Sequence, residues 1–518
     1  MKRKEWLLLL LLLSIGFALR LNHLSERSLW TDEFFTLFQS SGHGTQIKAL
    51  LDSLAGKSEP AAIPAIEFKR LLRNDPDKNI NDVNLGLLNT DTHPPFYFLA
   101  MHFWMRLFSD SPLSVRFFSV IFGMISIILA YQLGCRLFNK QAGFFCGLIV
   151  SVSAFCVRYS QEARAYSLIM CMGLASLLLL LRLEEEDRYS DGLLLGLVNA
   201  LGIYTHYFYI FIAFAQFVYF TLAHHRQTNL LRRFYLFFLL SLLSLSFWFI
   251  PLIIKGYNFY LTEWVFGYPG IKEKLMSILL GLSRYLFIVD KPGSPIIALL
   301  WVLCAWFAYN FLGAAFDMFK RYRNRFWFCM SMFILPLSAI FFIDLIENGA
   351  LMKQERFWMF VFPGFMPLAG YALSLAFLRS RLSVFVFALC MLGSASFVSS
   401  LNFGPAPKSS SEWINKADID GKSCVVIYNI RSAVLSQVYY LNDRIGILPV
   451  ATEEQLKGAI KHSVSFTDRV FICRHYHRTD ASLMDQQFMG ADKMREWGFL
   501  LKEGRLLDDI GVFEYTRR

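Results

Sequence analysis

Eleven apolar runs of helix length, parted mostly by short loops carrying Lys and Arg, constrain this chain more than any other feature. They lie near residues 5–22, 115–137, 142–159, 164–182, 191–206, 208–224, 233–255, 295–317, 326–345, 357–378 and 382–400. A helix rises about 1.5 Å per residue, so about 20 apolar residues cross a hydrocarbon core about 30 Å thick. The runs at 191–206 and 208–224 are the shortest and match that thickness least well. With 55% hydrophobic and only 18% charged residues, 518 residues carry too little polar material to cover a water-soluble core. The fold class read from this pattern is a polytopic α-helical membrane protein with about eleven transmembrane helices.

The net charge of +11 does not point to nucleic acid, because the basic residues gather in loops between apolar runs. Arg136 with Lys140, Arg182 with Arg188, Arg226 with Arg232 and Arg233, Lys320 to Arg325, and Arg379 with Arg381 all fall on one side. The excess of Lys and Arg on cytoplasmic loops makes that side the cytoplasm. The N-terminus, MKRKEW followed by Leu7 to Leu19, starts like a signal peptide but offers no small-x-small cleavage site at Ala18-Leu19-Arg20-Leu21. It is read as a retained first helix with its basic end in the cytoplasm. An odd number of spans then puts the C-terminus outside, in a multi-pass protein of the inner (plasma) membrane.

Two further apolar stretches are poor spans. Phe96 to Phe108 is too short and carries His102 and Arg106 four residues apart, hence on one helical face. Ile271 to Val289 contains Lys272, Glu273, Lys274 and Arg284. Both are read as interfacial helices. Residues 43–92 are polar and belong to a large first outer loop, 25–114, within a membrane domain covering 1–400. Beyond it the composition changes. Gly404-Pro405-Ala406-Pro407 reads as a linker, and Ser409 to Glu412 can open a helix. Cys424 to Tyr428 and Val470 to Cys473 read as buried strands, with helical stretches near 433–441 and 453–461 between them. Residues 401–518 are therefore read as a small extracytoplasmic α/β domain. The nine cysteines contain no CxxC, which argues against a zinc site or a disulfide framework. Cys424 and Cys473 are either a pair or two core thiols, the second reading being favoured.

This topology collects ionisable residues at the outer boundary. Asp32-Glu33, Asp91-Thr92-His93-Pro94-Pro95, Arg116, the stretch Arg158 to Arg164, His206, and Lys353-Gln354-Glu355-Arg356 each sit at the outer end of a different segment. Charges buried at mid-membrane cost roughly 2.5–3.5 kcal/mol each, and outer basic residues run against the cytoplasmic bias. Both arguments call for an anionic partner. Each residue also has a plain structural reading. Arg116 can snorkel, Glu162 and Arg164 can pair, and His206 can be a hydrogen-bonded packing residue. Lys353 and Arg356 can be ordinary loop charges, and Asp32-Glu33 can cap a helix. The collection on one face carries more weight than any member.

These residues also carry a resemblance. Leu29-Trp30-Thr31-Asp32-Glu33, Asp91-Thr92-His93-Pro94-Pro95-Phe96-Tyr97, Ser114-Val115-Arg116-Phe117-Phe118 and Tyr159-Ser160-Gln161-Glu162-Ala163-Arg164-Ala165-Tyr166 resemble the ordered motifs of bacterial membrane glycosyltransferases of the GT-C superfamily. Those enzymes are similar to protein O-mannosyltransferases and lipid A aminoarabinose transferases. Tyr204 to Phe208 and Arg356-Phe357 with Pro363 fit the same pattern, and the match covers about residues 1–400. The resemblance implies transfer of a sugar from a polyprenyl-phosphate donor to a lipid, glycan or protein acceptor at the outer face, with inversion. Membrane lipids are the other expected partners.

By motif position Asp32 is the candidate base. Glu33, which does not share its helical face, is expected to orient an arginine or bind a metal. Arg116, Arg164, Lys353 and Arg356 are candidates for the donor phosphate; Asp91, His93, Gln161, Glu162 and His206 are expected to bind substrate or support the site. Some relatives hold a divalent ion with an acidic residue and a histidine, and others need none. Asp91, His93, Glu162 and His206 supply donor types without a diagnostic spacing, so a divalent cation and a metal-free site both stay open. The competing class is a lipid or sugar transporter of the cell envelope. Transporters place charges near mid-membrane and show repeated halves, neither of which is seen here.

Overall fold

Helices form where the apolar runs lie, because a chain in hydrocarbon must satisfy its backbone hydrogen bonds internally. The computed structural model describes residues 3–55, 62–90, 93–254, 269–287, 295–347, 349–401, 407–418, 423–428, 437–450, 455, 467, 469–475, 494–495, 498–507 and 510–517. The first helices are α1 (Arg3–Leu21), α2 (Thr31–Ser40), α3 (Gly44–Ala55), α4 (Ala65–Arg70), α5 (Ile80–Thr90), α6 (Phe96–Leu107) and α7 (Pro112–Leu137). Next come α8 (Lys140–Val152), α9 (Ala154–Ser160), α10 (Tyr166–Glu186), α11 (Tyr189–Thr205), α12 (Ile210–His224), α13 (Thr228–Ser244) and α14 (Ser246–Ile254). The last are α15 (Ile271–Arg284), α16 (Pro295–Arg321), α17 (Arg323–Ile346), α18 (Phe362–Arg379), α19 (Arg381–Ser399) and α20 (Pro407–Ala417). The strands are β1 (Ile63–Pro64), β2 (Cys424–Tyr428), β3 (Gly446–Val450), β4 (Arg469–His475), β5 (Phe499–Leu507) and β6 (Ile510–Arg517).

The chain forms two compact units. One comprises Met1–Leu24, Thr92–Tyr97 and Arg116–Ser400; the other comprises Ser25–Asp91, Phe98–Val115 and Leu401–Arg518. Among the described residues, seven helical segments are long and apolar enough to cross a membrane, or eight if the bent pair α8–α9 is one span. The predicted count of eleven requires adding α1, the bent pair, α11 and α18. Helix α11 has only 17 residues, and α1 carries Lys4, Glu5 and Arg20. The protein is a multi-pass membrane protein.

In the first unit, α8 packs on α1 and α18, α10 on α11, α12 on α17, and α16 on α18. Without a hydrophobic drive between helices in lipid, close approach depends on small residues. Gly370 of α18 is one: a Cβ there would collide with Cys146 of α8. The stretch predicted as one span at 142–159 is two helices bent by 56° at Ser153. Ser153 seals the break. Its Oγ accepts the Cys156 N–H at 3.3 Å as the α9 cap and donates to Tyr285 O at 2.7 Å.

Arg20, fully buried on α1, completes that junction. Its Nη2 donates to Val150 O at 2.8 Å and its Nη1 to Ser151 O at 3.2 Å, two of the terminal α8 carbonyls that no helical N–H can reach. Its Nε donates to Ser160 Oγ at 3.1 Å, at the far end of α9.

The second unit is built on a six-stranded sheet of order β1-β3-β2-β4-β6-β5. The three central strands β3, β2 and β4 are parallel, while β1, β6 and β5 run antiparallel to their neighbours. Val425 and Val426 are both fully buried, so β2 is covered on both faces, as a central parallel strand must be. Residues between α1 and α7 join this sheet: Ile63 pairs with Ile447, and Ala65 N–H donates to Ile445 O at 2.9 Å. Cys424 and Cys473 sit opposite Val470 and Ile427 rather than each other, and both are free buried thiols. The linker residues 404–406, and all but residue 455 of the helix expected near 453–461, lie outside the described residues.

Candidate functional site

In the first unit the candidate residues converge on two non-helical links. One is Gln161 to Ala165, between α9 and α10. The other runs through two 3-10 turns, Leu351–Lys353 and Glu355–Phe360, between α17 and α18. Irregular backbone of this kind inside a membrane protein is tolerated where protein or a cavity satisfies it.

Gln161 is fully buried, and its amide nitrogen reaches Leu19 O and Arg20 O at 3.1 Å and Asn22 O at 2.9 Å. Those are the last carbonyls of α1 and its exit turn, where His23 takes a left-handed φ of 51°. Gln161 therefore acts as a helix cap. Together with Arg20 it makes a reciprocal lock: α1 caps α8, and the residue after α9 caps α1. Arg116, 2% exposed on α7, donates from Nη1 to Leu24 O at 2.9 Å in the same region.

Beside this lock lies an ion network. Arg158 Nε sits 3.3 Å from Glu162 Oε1, and Arg158 Nη1 pairs with Glu355 Oε2. Arg284 Nε approaches Glu355 Oε1 at 3.5 Å. Glu355 thus links α9 and α15 to the second 3-10 turn. Ion pairing is the structural alternative for Glu162, and Arg158 is one of its partners here.

His206, in the link between α11 and α12, is the centre of the electropositive part. Its Nδ1 accepts the Phe208 N–H at 3.2 Å, which puts the neutral ring's proton on Nε2 and makes Nε2–H a donor. The His93 ring lies edge-on at 6.2 Å, and Phe360 packs at 4.9 Å, with Phe208 and Phe357 also against the His206 ring. Burial, then His93, Arg164 and Arg356, hold the His206 pKa well below its ordinary 6.5. Every charged neighbour that acts on it pushes in the same direction. Arg164 is 7% exposed and lies 6.0 Å over Tyr166; Arg356 lies 5.9 Å over Phe357. The arrangement is an electropositive cluster with aromatic surroundings. Lys353 is exposed at the end of the first 3-10 turn, and its carbonyl accepts from Arg284 Nη1 at 3.4 Å.

Asp32 and Glu33 belong to the second unit, in the first turn of α2. Glu33 is fully buried, and its Oε2 accepts the Trp30 N–H at 3.2 Å, closing the helix start. Asp32 is half-buried. The adjacent carboxylates diverge, as i and i+1 on a helix must. Helix α2 is held by Tyr439 and Tyr440: Phe34 packs on Tyr439 at 5.4 Å, and Leu29 N–H donates to Tyr440 Oη at 2.8 Å. On α6, His102 Nδ1 bonds Ser40 O at 2.7 Å and Arg106 Nη2 donates to Pro76 O at 2.7 Å. Asp91 lies outside the described residues. Among the described residues, no three of His, Cys, Asp and Glu gather as metal ligands.

Sequence reasoning singled out neither Arg20 nor Glu355 and Arg284 as linked parts of one site. An arginine inside an apolar run was the available signal for Arg20, since such residues are rare in spans unless they have partners.

Residues 92–254 match the family model described as dolichyl-phosphate-mannose-protein mannosyltransferase. The fold is that of ArnT from Cupriavidus metallidurans, at 14% identity, TM-score 0.55, over 99% of this chain and 98% of that one. The same protein bound to undecaprenyl phosphate aligns with a TM-score of 0.54, 14% identity and the same coverage. The archaeal oligosaccharyltransferase AglB from Archaeoglobus fulgidus, in complex with an inhibitory peptide and a dolichol-phosphate, aligns with a TM-score of 0.51 at 13% identity. That alignment covers 91% of this chain and 69% of the other. No curated protein matches the sequence. The chain shares the fold of these solved structures.

Proposed function

We propose that this protein transfers a sugar from a polyprenyl-phosphate-linked donor to an acceptor at the outer face of the membrane. The observation that carries the reading is the set of His93, Arg164, His206 and Arg356, a cationic and N–H-donating cluster surrounded by aromatic rings. A lipid phosphate offers the matching chemistry: anionic oxygens for the arginines and an apolar chain for the rings. ArnT has been solved with undecaprenyl phosphate and AglB with a dolichol-phosphate, which supports the same donor class here.

In this reading the acceptor hydroxyl attacks the anomeric carbon opposite the phosphate. A carbon–oxygen bond to the acceptor forms, the bond from the anomeric carbon to phosphate oxygen breaks, and the hydroxyl proton passes to Asp32. The lipid leaves as the phosphate, its developing charge met by Arg116, Arg164, Lys353 and Arg356. Inversion follows from a single displacement. Glu33 closes the first turn of α2 and so orients its neighbour. Gln161 and Glu162 hold the scaffold beneath the cations. The N-terminus lies in the cytoplasm and the second unit outside, as the basic loops require.

The donor class is tested with Arg356→Ala and Arg164→Ala in purified protein. Loss of one charge-assisted phosphate contact is expected to weaken polyprenyl phosphate binding on the order of ten- to a hundredfold. Unchanged binding in both variants would refute it. Mass spectrometry of envelope glycolipids and glycoproteins from a deletion strain identifies the sugar and the acceptor.

A further inference from the structure

Lys353 and Arg356 ride on a segment that cannot hold its own shape. Turns of three and six residues in 3-10 geometry, parted by Gln354, are too short to be stable alone. What fixes them is a pair of buried charges. Asp344, fully buried near the end of α17, accepts Leu351 N–H on Oδ1 at 2.6 Å and Met352 N–H on Oδ2 at 2.8 Å. Its carboxylate is thus an N-terminal cap for the first 3-10 turn. Lys274, 4% exposed on α15, donates its ammonium to Asp344 O at 2.6 Å and to Gly349 O at 2.5 Å. Gly349 N–H closes on the same Asp344 carbonyl at 3.0 Å.

The rest of α15 grips the following residues. A Cβ on Gly281 would strike the Trp358 ring, so the helix lies directly on it. Trp358 Nε1 donates to Met352 O at 3.0 Å, and Tyr285 Oη, just past α15, donates to Trp358 O at 2.5 Å. Arg284 at the helix end meets Lys353 O and Glu355. Meanwhile Ile271, Leu275 and Leu279, spaced four apart on the other face of α15, are exposed. The helix is a splint whose inner face binds the 344–358 segment at both ends. An apolar pair could fill the same volume without the desolvation cost of a buried ammonium and carboxylate. An apolar pair, however, cannot bind the three backbone groups of the turn and the Asp344 carbonyl that these two side chains hold at once.

We propose that Lys274 and Asp344 are positioning residues: they clamp the Gly349–Lys353 turn between α15 and α17 and thereby set where Lys353 and Arg356 meet the donor phosphate. The proposal rests on the donor reading above. Neither residue touches the donor; both act through the backbone that carries the cations.

The test uses the full chain in lipid nanodiscs, with Lys274→Met, Lys274→Arg and Asp344→Asn. Amide hydrogen exchange over residues 349–353 is compared with exchange in α8 and α10, and binding of a synthetic polyprenyl phosphate is measured alongside. In Lys274→Met, exchange over 349–353 should quicken on the order of tenfold or more while α8 and α10 keep their protection. Polyprenyl phosphate affinity should fall on the order of tenfold, raising donor KM with little change in kcat at saturating donor. Asp344→Asn should give the same pattern, and Lys274→Arg should recover part of both losses. Normal exchange in Lys274→Met and Asp344→Asn overturns the clamp. Faster exchange with unchanged affinity overturns its positioning role and leaves the donor reading intact. Failure of the wild-type protein to bind polyprenyl phosphate defeats the donor reading, and the positioning role with it.

Discussion

Replacing Arg20 by Met keeps the unbranched stem in its packing and removes the guanidinium that joins α1, α8 and α9. Three of the four hydrogen bonds go to backbone carbonyls and one to Ser160 Oγ. Gly16 O lies within α1 and keeps its helical partner. Val150 O and Ser151 O lie in the last turn of α8 and lose the donor that reaches them. A buried acceptor left unmet costs about 1–3 kcal/mol, so the two together cost about 2–6 kcal/mol. Removing a fully buried charge returns part of this, because the guanidinium no longer has to be desolvated. The carbonyls outweigh that relief, since the arginine's bonds to them are charge-assisted and fully buried. A net loss of about 2–4 kcal/mol is expected. Cys146 and Cys156 are fully buried and inert to thiol reagents until the fold opens, so thiol labelling during a thermal ramp reads the loss directly. An Arg20→Met protein that unfolds at the wild-type temperature would refute the reasoning. It would mean that the buried charge costs as much as its bonds return.

His206 makes stability depend on pH. Its folded pKa is depressed below 6.5 by burial and by His93, Arg164 and Arg356, so below about 6.5 the unfolded chain binds the proton that the folded chain resists. The contribution is full above that pH and is lost as pH falls, and His206→Gln should flatten the decline; equal declines from about pH 7.5 to 5.5 in both proteins would contradict it. Cys424 and Cys473 should both alkylate in denatured protein without reductant, and a recovered cross-linked peptide would contradict their register. Gly281→Val should displace Trp358 and cost stability, read as an altered tryptophan emission and a lower unfolding temperature.

The apolar runs were legible because lipid imposes helices of known length, and each run does carry helix. The bend at Ser153 was not, because its causes lie elsewhere in the chain: Arg20 from α1 and the Tyr285 carbonyl after α15. Strands β2 and β4 were legible as continuous apolar runs bounded by polar residues. Strand β5 was not, since FLLKEGRLL leaves most of its side chains exposed and carries no alternating pattern. Strand β1 has two residues inside a stretch that reads as a polar loop. Within the site, composition placed the charged residues in one region but could not distribute their tasks. Gln161 and Glu162 are neighbours in sequence, yet one caps α1 and the other pairs with Arg158. Such assignments depend on which carbonyls a fold leaves unmet, and local sequence does not encode that.

The central claim is sugar transfer from a lipid phosphate donor with Asp32 as the base, and one substitution tests it most directly. Asp32→Asn keeps size and hydrogen-bonding capacity but removes the acceptor for the hydroxyl proton. Transfer from a synthetic polyprenyl-phosphate sugar is measured with the purified variant, alongside donor affinity. The account predicts turnover lower by about 10² or more, with donor affinity unchanged. Turnover near the wild-type value in Asp32→Asn would contradict it.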